Sequence, residues 1–146
     1  MNVSFHPLDP ESWEWVFERI DPLITKTTKG VVAKDNGKIL AAAIFDNWTI
    51  TSAHIHLIIE NSFVLRHGFI EEVMNYFFST ADKEILIGVT PSNNKIALKF
   101  NTHIGFVELF RIKDGFMFGV DLVFQELRKA DCRWIADGKT KYSAAA

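Results

Sequence analysis

His54, His56, Ile58 and Glu60 fall at alternate positions of a segment, Thr51 to Ile59 and one residue beyond, that reads as a β-strand. Alternation places all four on one face. Two imidazoles and a carboxylate are groups that take up and release protons, and an imidazole does so near neutral pH. His56 lies deeper in the strand than His54 and is the first candidate for a general base, with Glu60 the second. The His54-x-His56 spacing also offers two ligands to a metal. A third is needed, and His103 or Glu60 supplies it only if the fold converges there. No cysteine pair supports a metal, so none is expected. His56 has a structural reading too, as a satisfied sheet residue beside Trp48.

The elements that must position these groups follow from local pattern. Val3 to His6 reads as a strand. Asp9-Pro10-Glu11 is a helix start, an N-cap acid followed by proline and an acid in the first turn, and Trp13, Val16, Phe17 and Ile20 recur at helical spacing behind it. Pro22 breaks that helix, and Leu23 to Thr27 suggests a second, short one. Gly30 to Lys34 and Ile39 to Trp48 flank Asn36-Gly37, a strong hairpin signal, and Thr51 to Ile59 pairs back on the second strand. Gly68 to Thr80 is helical, with Ile70, Val73, Met74 and Phe77 on one stripe. Ile85 to Val89 is a short apolar strand. A helix from about Asn93 to His103 ends at Gly105, with Ile96 or Ala97, Phe100 and Ile104 as its buried stripe. Phe106 to Ile112 and Val120 to Gln125 close the chain as strands. The order implies an α/β protein: a mixed, mostly antiparallel sheet with helices on both faces.

With 146 residues, 48% hydrophobic and a net charge of −2, the chain suits one globular domain, expected over residues 1–136, with a polar C-terminal tail over 137–146. The charge balance argues against a nucleic-acid binder. The longest wholly apolar run, Ile39 to Phe45, is far shorter than a membrane span. No signal-peptide pattern is visible at the N-terminus, and Cys132 has no internal disulfide partner, so a cytoplasmic protein is expected. Phe63, Phe69, Phe77, Phe78, Phe116 and Phe118 read mostly as core. Phe116-Met117-Phe118, between the last two strands, also suits an exposed position near a pocket or interface. Arg133-Trp134 reads as a packing pair, with a dimer contact as the alternative.

Asn94 to Phe106 resembles the fourth-helix signature of the GNAT superfamily of N-acyltransferases: an asparagine, an alanine three residues on (Ala97), and a closing Gly105-Phe106. The element order is similar as well. More narrowly, His56, Arg66-His67-Gly68-Phe69, Phe100 to Phe106 and Asp131-Cys132-Arg133-Trp134 are together similar to small GNAT proteins of tailed bacteriophages. The similarity runs roughly from Val31 to Ile135.

The resemblance implies acetyl-CoA as co-substrate and transfer of its acyl group to a primary amine of a protein or small molecule. It implies that the strands Ser52–Ile59 and Ile85–Val89 splay apart to admit the pantetheine arm, which places Ile58 and Ile59 beside it. It assigns the pyrophosphate to the segment Ser62 to Gly68, where helix N–H groups suit a phosphate, with Arg66, His67, Gly68 and Phe69 as contacts. It adds Asn94, Ala97 and Asn101 from the fourth helix, although Asn94 also reads as a residue that caps its helix. A protonated amine must lose a proton before it attacks, and this is the work for which His56, or Glu60 near the splay, is named. Ile59 and Glu60 stand as placeholders for a backbone N–H that stabilises the oxyanion. Two positions depart from the superfamily pattern. In the phosphate motif only Gly68 matches, with Leu65 and Ile70 at the flanking positions, and the usual catalytic tyrosine is Asn101. His103, Tyr76 or water are the remaining candidates for a general acid. These departures keep a second reading open, a GNAT-fold binding protein without turnover, such as a phage–host factor. A monomer or homodimer is expected, in the host cytoplasm if the chain is phage-encoded.

Overall fold

Seven strands form one sheet in the order β1-β2-β3-β4-β5-β7-β6. They are β1 (Val3–Pro7), β2 (Lys29–Asp35), β3 (Lys38–Asp46), β4 (Ser52–Ile59), β5 (Ile85–Pro91), β6 (Val107–Met117) and β7 (Val120–Arg128). The computed structural model describes residues 1–22 and 25–135. Every pairing is antiparallel except β4 with β5, so the mixed sheet expected from the sequence is the one present. Asn36 and Gly37 both take positive φ, as a two-residue hairpin between right-twisted strands requires.

Helix α1 (Pro10–Phe17) starts as its residues dictate: Asp9 is extended and its carboxylate accepts from the Ser12 N–H at 3.0 Å and the Ser12 hydroxyl at 2.7 Å. It stops at Phe17, short of Ile20, and Phe17 is exposed. Leu23 and Ile24 of the expected second helix lie outside the described residues. Thr25 to Thr28 form a hydroxyl-bonded turn instead of a helix, with the Thr28 hydroxyl accepting from the Thr25 N–H. Threonine side chains that bond nearby backbone compete with helix formation in this way. The expected tail over 137–146 also lies outside the described residues.

β4 and β5 run parallel, so a crossover must join them. A 3-10 turn (Ser62–His67) leads through Gly68 into α2 (Phe69–Met74), which continues as a π-helix over Asn75–Thr80. The wider turn shows in the Ala81 N–H bonding to the Tyr76 carbonyl at 2.8 Å. Phe69, Val73 and Phe77 of this helix are fully buried against Ala41, Ala43 and Phe45 of β3. Helix α3 (Lys95–Ile104) adds Ile104 to the same cluster, so α2 and α3 share one face of the sheet. Helix α1 lies on the other, where Val16, Val32, Ala42 and Ile44 are buried.

Among the described residues, that second face is only half covered beyond α1. Along β7, Val123, Gln125 and Leu127 are buried beneath α3, whereas Leu122, Phe124 and Glu126 on the α1 side are partly exposed. The aromatic core reading holds for Phe69, Phe77 and Phe78. It fails for Phe63, which is exposed on a surface turn, while Phe116 and Phe118 take the exposed alternative at a hairpin end. Among the described residues, no helix is long and apolar enough to cross a membrane.

Candidate active site

β4 and β5 pair over only three residues, Ser52 with Ile85, Ala53 with Leu86 and His54 with Ile87. β4 stays paired with β3 as far as Ile59, and β5 stays paired with β7 as far as Pro91. The two strands therefore part after His54. A cleft of about 560 Å³ opens where they separate, lined by β4, β5, the 3-10 turn and α3.

Backbone polarity in the cleft follows from register. The N–H groups of both Glu60 and Asn61 bond to the Leu40 carbonyl, at 2.9 and 3.2 Å. Two residues opposing one is the pattern of a β-bulge. With Glu60 aimed at β3, alternation aims Ile58 and His56 there too. The N–H and C=O groups of Leu57 and Ile59 point the other way, toward the gap that β5 has left. An extended ligand entering the gap meets an unpaired strand edge, and Ile55, Leu57 and Ile59 supply an apolar wall. Of the two oxyanion placeholders, the Glu60 N–H is committed to Leu40, and the Ile59 N–H faces the cleft.

The far wall is α3. Asn94 is its N-cap, accepting from the Ala97 N–H at 3.2 Å, and both residues line the cleft. Asn101 donates to Gln125 at 3.1 Å and reaches the cleft as well. The helix approaches β5 closely at Gly88, where an added Cβ would stand 3.6 Å from Phe106 and 3.8 Å from the Asn101 amide. Of the two alternatives for the buried stripe, Ile96 is 85% exposed at the cleft mouth and Ala97 is the one turned inward. Ala97, Phe100 and Ile104 carry the packing instead. Arg133 donates to the His103 carbonyl at 2.6 Å and Trp134 to the Ile104 carbonyl at 2.8 Å, closing the end of the helix as a packing pair.

Ser62 and Leu65 line the cleft from the 3-10 turn. Arg66 and His67 are exposed beyond it, with the Arg66 guanidinium 5.7 Å from the Phe63 ring centre. Gly68 takes φ 85°, and nothing lies within 4 Å of where a Cβ would be. The Phe69 ring is fully buried, so only its backbone is available to a ligand. Ile58 faces α1 and does not line the cleft; Ile59 does.

His56 Nε2 lies 3.0 Å from Asp46 Oδ2. The His56 side chain is 39% exposed and that of Asp46 only 13%, so a partly accessible imidazole rests on a mostly buried carboxylate. Asp46 stands opposite His54 in the β3–β4 register, which sets Asp46, His54 and His56 on the same, α1 face of the sheet. The partner of His56 is thus Asp46 and not Trp48, which packs on Phe45 and Phe77 of the opposite face at 5.9 Å from each. Asp46 Oδ1 is buried with no partner among the described residues. Glu60 is bound differently: Arg19 holds both its oxygens at 3.1 Å. That guanidinium keeps the Glu60 carboxyl below its ordinary range and makes it a weaker base. Among the described residues no three metal-binding side chains converge, and His103 lies across the sheet from His54, beside Glu108 and Arg111. Neither Tyr76 nor His103 lines the cleft.

Burial holds His54 below its ordinary imidazole range, against the pull of Asp46 and with the push of His56. The unfolded chain then takes up the proton first. Folding stability is therefore lost as pH falls below the ordinary value of 6.5. Urea unfolding from pH 8 to 5 should show this fall, and His54→Gln should flatten it.

Asp46, Gln125, Gly88 and Arg19 were not among the residues expected. A signal existed for Asp46: a hairpin turning at residues 47–51 must set it against His54.

The fold that holds this cleft is the GNAT acetyltransferase fold. The structure superposes on spermidine/spermine N-acetyltransferase SpeG of Vibrio cholerae with TM-score 0.74 and 11% identity, covering 88% of this chain and 93% of that one. A single-substitution mutant of that enzyme gives TM-score 0.76 at 10% identity, over 94% and 98% of the two chains. A GNAT-family protein of Desulfovibrio desulfuricans gives 0.71 at 13%, over 87% and 99%. No protein-family model matches the sequence, and no curated protein matches it significantly.

Proposed function

We propose that this protein is an acetyl-CoA-dependent N-acetyltransferase acting on a primary amine. The observation that carries this reading is the parting of β4 from β5 after three residue pairs, which leaves an unpaired strand edge along an apolar cleft. The pantetheine arm, an extended chain of alternating amides and methylenes, suits that edge. In this reading the Ile59 N–H receives the oxyanion, and the 3-10 turn and the backbone at Gly68 take the pyrophosphate. Arg66 and His67 add positive charge or donors near it. Asn94, Ala97 and Asn101 bound the arm on the α3 side.

His56 is the base. It is accessible, it lies on the α1 face at the parting, and Asp46 fixes its ring by bonding Nε2, which leaves Nδ1 free to accept the proton of an ammonium. The amine nitrogen then bonds to the thioester carbonyl carbon, whose oxygen becomes the oxyanion. As this intermediate collapses the carbon–sulfur bond breaks, and the nitrogen's second proton passes to the departing sulfur, directly or through water. A thiol with a pKa of about 8.5 leaves without a dedicated acid. That accommodates Asn101 at the usual tyrosine position. The narrower kinship to bacteriophage proteins, and with it residence in a host cytoplasm, rests on the motifs quoted above.

Titration calorimetry with CoA tests the reading. Micromolar-range affinity is expected, and at about 100 times the dissociation constant the fold should gain roughly 2.7 kcal/mol of stability. Gly68→Glu puts a carboxylate beside the expected phosphates, and affinity should fall at least about tenfold, or 1.4 kcal/mol. The substituted residue must also bear positive φ, so its melting curve is the control. A folded wild-type sample that binds no CoA at millimolar concentration would sink the proposal.

A further inference from the structure

We infer that the acceptor is a monoamine on an apolar body, seated beside His56 on the α1-side face of β5, β7 and β6. This rests on the proposed acetyl transfer and names the chemistry of its second substrate. The β4–β5 register sets His54 level with Ile87, so two residues further on it sets His56 level with Val89. Val89 pairs with Phe124, and Phe124 with Phe110. Paired residues share a face, so a row runs from the proposed base through Val89 and Phe124 to Phe110. From Val89 to Phe110 it crosses two strand spacings, about 10 Å. His56 and Val89 both line the cleft, which makes the row continuous with the expected place of the thioester.

The row is apolar and open among the described residues. Val89 and Phe124 are half-buried and Phe110 is 52% exposed. The Phe110 and Phe124 rings stack at 4.6 Å and so form one block. The neighbouring pair, Leu122 with Ile112, widens the surface without adding a polar atom. A hydrocarbon or aryl body laid along the row removes apolar surface from water on both partners, while its amine stays at His56.

Charge selects against a second ammonium. A diamine or polyamine seated here needs a carboxylate for each remote cation, because a desolvated ammonium without a partner is costly. The carboxylates that β3, β4 and β7 present on this side are all engaged. Arg19 holds both oxygens of Glu60, and Arg128 bonds Glu126 at 2.9 Å. Asp46 bonds His56 through one oxygen, and its other oxygen is buried out of reach of solvent. No charged side chain stands in the row between His56 and Phe110.

Release of CoA thiol from acetyl-CoA, with hexylamine, phenylethylamine and cadaverine as acceptors, tests this. Hexylamine and cadaverine match in heavy atoms and differ at the far end, methyl against ammonium. We expect kcat/KM for hexylamine to exceed that for cadaverine at least about tenfold, or about 1.4 kcal/mol, with phenylethylamine on the side of hexylamine. Phe124→Glu sets an unpaired carboxylate in the row and should lower hexylamine and raise cadaverine. Phe110→Glu, at an exposed ring, should shift the preference the same way and serves if Phe124→Glu does not fold. Asp21 follows the cleft-lining Ile20, is exposed and bonds no cation among the described residues, so Asp21→Asn is the control and should leave the preference unchanged. Equal or better use of cadaverine by the wild type would overturn the inference. So would a preference that neither glutamate moves, one that Asp21→Asn abolishes, or a chain that binds CoA and acetylates none of the three amines. A chain that binds no CoA fails earlier, at the proposed function, and takes this inference with it.

Discussion

His56→Gln should lower acetyl transfer by roughly 10²–10⁴-fold, the usual loss when a positioned general base is removed. That is about 2.7–5.5 kcal/mol of transition-state stabilisation. Glutamine keeps approximate size and can still donate to Asp46, so the pair at 3.0 Å has a substitute and the carboxylate is not stranded. CoA affinity should hardly change: His56 lines the cleft, but its ring lies on the α1 face, away from the unpaired edge proposed to take the cofactor arm. The variant should also differ from the wild type in the pH profile of the rate. Asp46→Asn, which keeps a hydrogen bond but loses the charge, should fall between the two. An acceptor is found first by treating a cell extract with labelled acetyl-CoA and reading the products by mass spectrometry. Unchanged turnover and an unchanged pH profile in His56→Gln would return that residue to a structural role and move the search to Glu60.

Phe77→Ala should cost about 3–5 kcal/mol of folding stability, the range for truncating a buried aromatic. Phe77 is fully buried and sits at the centre of the aromatic core. Its ring stacks on Phe45 at 5.5 Å, meets Phe78 edge-on at 4.9 Å and touches Trp48 at 5.9 Å. Those neighbours come from β3, the β3–β4 turn and the π-helix, so the cavity cannot close by moving one element. Against a total of about 5–15 kcal/mol, the loss is large. Urea unfolding should show a lower midpoint with little change in slope. Phe118→Ala, at a ring that is 95% exposed, should shift stability by no more than about 0.5 kcal/mol in the single chain. Equal effects from the two would mean the core is placed wrongly.

Much of the fold was legible because it is written locally. Asp9 capped its helix, Asn36-Gly37 made its turn, and Gly105 ended α3, each by chemistry within four residues. The site was legible where strand alternation sufficed, as for His54, His56 and Glu60 on one face. It was not legible where a partner arrives from elsewhere in the chain. Arg19 reaches Glu60 from the end of α1, across 41 positions. Exposure was misread for a related reason. Phe63 looks like a core residue by type, and only its place on the 3-10 turn leaves it in water; for Ile96 against Ala97, and for Phe116, the type alone could not choose between inside and outside.

The short contact between β4 and β5 has a mechanical consequence. The sheet is two smaller sheets, β1 to β4 and β5-β7-β6, sewn together by three residue pairs and by the core beneath α2 and α3. An extended ligand in the gap replaces the missing stitches with its own amide groups. Under the proposed function, binding would lengthen the seam as a temporary eighth strand, and release would return it to the three residue pairs.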